Sequence, residues 1–83
     1  MTTIIGIKMH NRVNNATHLQ EILTNYGCSI KTRIGLHSVE NGTCSANGII
    51  LIEVIDDKKA LDLEKDLLNI DGIELQKMVF DAV

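Results

Sequence analysis

The spacing of apolar residues switches between two periods along this chain, and the order of the switches constrains the fold more than any other feature. A step of two is the period of a strand, and steps of three and four are those of a helix. The segment TTIIGIKMH, residues 2–10, sets Ile5, Ile7 and Met9 against Ile4, Gly6, Lys8 and His10, which reads as a strand. In NRVNNATHLQEILTNYG, residues 11–27, Val13, Ala16, Leu19, Leu23 and Tyr26 fall on one helical face. Asn11 or Asn15 suits the start of that helix as a cap, and Gly27 stands where a helix end favours a left-handed residue. CSIKTRIGLH, residues 28–37, alternates again, with Cys28, Ile30, Thr32, Ile34 and Leu36 to one side and Ser29, Lys31, Arg33, Gly35 and His37 to the other. The connection SVENGTCSAN carries two turn signals, Asn41-Gly42 and Asn47-Gly48, and leads into the β-branched strand IILIEVI. Asp56 or Asp57 caps a second helix over KKALDLEKDLLNI, whose Ala60, Leu63, Leu67 and Ile70 form one stripe and which Gly72 ends. IELQKMVF is a fourth strand, with Ile73, Leu75, Lys77 and Val79 on one face and Met78 and Phe80 on the other.

The order β-α-β-β-α-β is that of an α+β, ferredoxin-like domain. It predicts one four-stranded antiparallel sheet in spatial order 4-1-3-2, with both helices on one face. Without proline, low-complexity sequence or a linker-like run, residues 1–83 read as a single domain. A domain of this size buries only about 60% of the surface its unfolded chain exposes, so it needs support from disulfides, a metal or oligomerisation. Cys28 and Cys44 are the two cysteines. One begins the second strand and the other follows its end, a separation close to ~30 Å at about 3.3 Å per residue, so no intrachain disulfide joins them. By parity Cys28 faces the helices as a small core residue. Oligomerisation, to a dimer or tetramer, is the expected support.

Nothing in the chain is left to cover the second face of the sheet. Parity puts Ile4, Gly6, Lys8 and His10 there, with Ile49, Leu51, Glu53 and Ile55, and with Lys31, Arg33 and His37 from the second strand. Glu53 then falls between Lys8 and Arg33, which predicts an ion-pair network across three strands. The apolar residues Ile4, Ile49, Leu51, Ile55, Met78 and Phe80 make a patch that monomers seldom expose, and so a predicted interface with another copy of the chain.

The segments ILTNYGCSIKTRIGLH, GIILIEV and IDGIELQKMVF together resemble the ACT-like, ferredoxin-like family of iron-only hydrogenase system regulators, across essentially the whole chain. The resemblance implies an ACT-like fold, an oligomer built from sheets, and a regulatory or small-ligand-sensing role rather than catalysis. It also implies a likeness to the C-terminal domain of nickel-responsive repressors, whose metal ligands are histidines and a cysteine around the second strand and the connection after it. His37 and Cys44 occupy that region, whereas Gly35 and Leu36 stand where a second histidine is expected.

Two candidate sites follow. His10 and His37 end strands that run the same way, two strand spacings or about 10 Å apart, and Cys44 lies in the connection that begins there. Their nitrogen and sulfur donors suit zinc, copper or nickel, although the spacing from His37 to Cys44 matches no closed structural zinc pattern. The second site is the segment HNRVNN, where Asn11, Arg12, Asn14 and Asn15 surround a helix N-terminus able to take an anion. ACT-like domains commonly place effector contacts at this segment.

Other functions fit poorly. No serine, cysteine or carboxylate stands beside a plausible base, the phosphate cradle of acylphosphatases is missing, and HNRVNN lacks the paired cysteines of copper-carrying ferredoxin-like domains, so no enzyme is expected. A net charge of -3 with one Tyr, one Phe and no Trp argues against a nucleic-acid surface. Gly6 and Lys8 break the first apolar run, so a signal peptide is not expected, and no run approaches the roughly 20 apolar residues that span a bilayer. The chain therefore reads as a cytoplasmic, homo-oligomeric ACT-like domain that senses a small-molecule effector. The alternative is a transition-metal-binding protein using His10, His37 and Cys44.

Overall fold

The computed structural model describes residues 2–9, 12–40 and 43–81, with side chains over 2–9, 17–36 and 48–81. Its elements are β1 (Thr2–Met9), α1 (Arg12–Asn25), a 3-10 turn over Gly27–Ser29, β2 (Ile30–Glu40), β3 (Thr43–Val54), α2 (Asp57–Leu68) and β4 (Ile73–Phe80). The four strands form one sheet in the order β2-β3-β1-β4, with every neighbouring pair antiparallel. This is the ferredoxin-like arrangement read from the sequence.

Both helices cover one face. On that face β1 contributes Thr3, Ile5, Ile7 and Met9, all buried, and β3 contributes Ile52 and Val54, each 1% exposed. Leu19, Ile22 and Leu23 of α1 and Ala60, Leu63 and Leu67 of α2, followed by Ile70, close the core from above. The α2 stripe is the expected one, and Asp56 is its cap: Oδ1 accepts from the backbone N–H of Lys58 at 2.9 Å and of Lys59 at 3.1 Å. Past the end of that helix the chain turns at Gly72, whose φ of 78° is costly for any residue with a Cβ. In α1, Ile22 joins the stripe and is buried. The helix already begins at Arg12, so Asn15 lies inside it rather than capping it.

Strand β2 departs from its expected orientation. Ile30 pairs with Val54 but Thr32 pairs with Glu53, so Lys31 is an extra residue with no partner position on β3. Because side chains alternate with a period of two, one inserted residue exchanges the faces of everything that follows. Ile30 faces the helices and packs against the core, whereas Ile34 and Leu36, in register with Leu51 and Ile49, lie on the open face. Arg33 and Gly35, in register with Ile52 and Ile50, lie on the helix face, where parity alone had placed neither. His37 continues this register opposite Gly48.

Two further expectations are corrected. Residues 38–40 and 43–47 are not simply a loop: Val39 pairs with Cys44 and Glu40 with Thr43, so the two strands stay paired out to these residues, and the shift between His37 and Val39 absorbs the extra residues of β3 around Asn47-Gly48. Gly48 is needed there, since a Cβ would lie 2.8 Å from the Leu36 backbone oxygen. Cys28 is not a core residue. The chain leaves α1 through the 3-10 turn, closed by the Ser29 N–H donating to the Tyr26 carbonyl at 2.9 Å, and this holds Cys28 exposed before β2 begins.

Candidate ligand-binding and interface surfaces

The inserted Lys31 redistributes the charges of the sheet. Arg33 reaches up to α1, its Nη2 donating to Gln20 Oε1 at 2.8 Å, so it cannot join Lys8 and Glu53 on the other face. Glu53 instead accepts from Thr32 Oγ1 at 3.2 Å. Lys8 faces Glu74 directly across β1 and β4. The expected three-strand ion-pair network is therefore replaced by a Thr–Glu bond and one facing pair of opposite charges, with Arg33 removed to the helix side.

What the open face loses in charge it gains in apolar surface. Its rows read Thr32, Glu53, Ile4 and Met78, then Ile34, Leu51, Gly6 and Gln76, then Leu36, Ile49, Lys8 and Glu74, with Phe80 opposite Thr2 at the β4 end. Ile34 (49%), Leu36 (48%), Met78 (51%) and Phe80 (53%) are about half exposed, and Ile49 and Ile55 are exposed as well. All six residues expected at an interface, Ile4, Ile49, Leu51, Ile55, Met78 and Phe80, lie on strands of this sheet or, for Ile55, immediately after one, and Ile34 and Leu36 extend their patch onto β2. Alternation in the sequence concealed these two residues, because the inserted residue is visible only once the strand is paired.

Glycine shapes the helix side of the same strands. Gly35 and Gly48 leave the sheet bare beneath α1, and a cavity of about 300 Å³ opens there, lined by Ile7, Met9, Leu19, Gln20, Arg33 and Ile50 among others. A Cβ on Gly35 would meet nothing within 4 Å. Arg33 is the charged group among the described residues of this lining, and its bond goes to a neutral amide oxygen. Sequence reading missed the cavity, since it depends on knowing that Gly35 stands opposite Ile50 on the covered face.

The metal candidates are placed only by backbone. His10 lies outside the described residues. His37 is in register with Gly48 and Cys44 with Val39, which sets them on facing strands of one hairpin, roughly 8 Å apart from the spacings of an antiparallel pair. Among the described residues, no group of three or more His, Cys, Asp and Glu comes together as metal ligands would. Of the effector candidates, Asn11 lies outside the described residues, while Arg12, Asn14 and Asn15 occupy the first turn of α1. At the opposite end of that helix, Tyr26 donates to Asp66 Oδ2 at 2.6 Å and ties α1 to α2. Hydrogen bonding to the carboxylate, then desolvation, pushes the Tyr26 phenol up to about 12. No helix among the described residues is long and apolar enough to cross a membrane.

Solved structures share this architecture. The uncharacterized protein TM1266 from Thermotoga maritima superposes with a TM-score of 0.76 at 22% identity, covering 93% of this chain and 92% of that one. The de novo designed protein Foldit4 superposes with a TM-score of 0.65 at 14% identity, over 98% of this chain and all of that one. No family model and no curated protein matches the sequence. At these identities the likeness is one of fold, and a designed chain sharing it underlines that the fold carries no activity of its own.

Proposed function

We propose that the chain is a regulatory, ligand-sensing ACT-like module that works as a homo-oligomer, with the open sheet face as the surface between subunits. The observation that carries this reading is the apolar patch running across all four strands, from Ile34 and Leu36 on β2 to Met78 and Phe80 on β4. A second copy is the natural occupant because the patch is mixed and self-complementary, with apolar rows flanked by the facing pair Lys8 and Glu74. The regulatory part is supported by the resemblance to iron-only hydrogenase system regulators, and deletion of the chain should then alter hydrogenase activity in its host. Effectors in this reading approach Arg12, Asn14 and Asn15 at the start of α1.

A second reading, transition-metal binding, is favoured by the placement of His37 and Cys44 on facing strands of one hairpin. With His10, three donors still fall short of the four a tetrahedral zinc site uses, so a partner subunit would complete it.

Native mass spectrometry of untagged protein, prepared without chelator, tests both. A dimer or tetramer without metal supports the first reading. A metal adduct that scales with subunit number and is lost in His37→Ala and Cys44→Ser supports the second. A bare monomer contradicts both.

A further inference from the structure

The cavity beneath α1 has the chemistry of a binding site for one class of small molecule, and this inference deepens the ligand-sensing reading on which it rests. Among the described residues, its floor is bare because Gly35 and Gly48 supply no side chains there, its walls include Ile7, Met9, Leu19 and Ile50, and Arg33 and Gln20 bring polar side chains to it. A volume of about 300 Å³ is at the small end of ligand pockets. Arg33 donates one N–H to Gln20 and is paired with no carboxylate among the described residues, so most of its planar fork of donors is available. A guanidinium beside an apolar chamber recognises a carboxylate carried on an apolar body, through two parallel charge-assisted hydrogen bonds.

We infer that the cavity between α1 and the β2–β3 hairpin binds a small apolar monocarboxylate, with Arg33 holding the carboxylate and Ile7, Met9, Leu19 and Ile50 enclosing the body. Gln20 then acts as a positioning residue, holding the guanidinium over the chamber.

Calorimetric titration of the full chain with 3-phenylpropionate, and with the neutral amide of the same acid as control, tests this. The acid should bind, and the amide should bind about tenfold more weakly or worse, since a charge-assisted pair is lost. Arg33→Gln should weaken the acid by a similar factor without weakening the amide. Gly35→Val should abolish binding of both, because the new side chain grows into open space and suits a strand. Equal binding of acid and amide, retained binding in Gly35→Val, or no binding by folded wild-type protein would overturn the inference. Light scattering on the same samples keeps the two proposals apart: an oligomer that binds no acid rejects only the cavity, and a monomer that binds acid rejects only the oligomer.

Discussion

The two faces of the sheet are made of the same kinds of residue and end in opposite environments. On the helix face Ile5, Ile7 and Ile52 of the two central strands are each 1% exposed, while on the open face Ile34, Leu36, Met78 and Phe80 of the two flanking strands sit near half exposure. Hydrophobic content does not distinguish a core from a surface here; cover does. Two helices supply it on one side, and on the other nothing among the described residues does. A second difference lies in how the faces are specified. Regular alternation sets β1, β4 and residues 49–54 of β3, whereas on β2 the inserted Lys31 turns Ile34 and Leu36 to the open face and Arg33 to the helix face.

That contrast can be broken from either side. Removing core volume has the largest expected effect: Leu63→Ala or Ile52→Ala, both at fully buried positions, should each cost about 3–4 kcal/mol and lower the melting temperature accordingly. Denaturation followed by circular dichroism checks it, and a loss under about 1 kcal/mol would mean that the core is not where it is placed. Next come charges on the open face. Leu51→Glu or Phe80→Glu should leave the secondary structure intact while shifting the assembly toward monomer, read by sedimentation at several concentrations.

A smaller effect sharpens the link between the helices. Tyr26 is the one tyrosine and there is no tryptophan, so absorbance near 295 nm reports its ionisation alone. The phenol should titrate near 12 rather than 10. Its folded value lies above its unfolded value, so whatever stability the Asp66 bond provides is complete below pH 10 and is lost as pH rises through about 12. In Asp66→Asn the titration should fall back toward the ordinary value. The smallest effect is expected at Lys77, whose Nζ lies 3.0 Å from Glu64 Oε2 on the partly exposed edge of the covered face. Lys77→Met should change stability by less than about 1 kcal/mol, as exposed ion pairs do.

Local pattern and cap chemistry made much of this legible from the residues. The α2 stripe at Ala60, Leu63, Leu67 and Ile70 and the Asp56 cap are short-range signals, and so is the alternation of β1, whose neighbours on both sides keep its register. The faces of β2 were not legible, because Ile30, Thr32, Ile34 and Leu36 alternate without a break while the inserted residue belongs to the pairing with β3. Cys28 was misplaced for a similar reason: whether it starts a strand or sits in a 3-10 turn depends on how the chain must leave α1. The cavity was hidden too, since Gly35 becomes an opening only when it lies opposite Ile50 beneath a helix. His10 and Asn11 lie outside the described residues, so those parts of the metal and effector expectations rest on sequence alone.

The most direct measurement is the mass in solution of Ile34→Glu beside wild type, with circular dichroism on both. Ile34 is where the two faces exchange: regular alternation places it in the core, and the inserted Lys31 places it at the interface. The expected result is a wild-type oligomer of 9.2 kDa subunits and a folded, monomeric variant. A monomeric wild type, or a variant that unfolds because Ile34 belongs to the core, would contradict it.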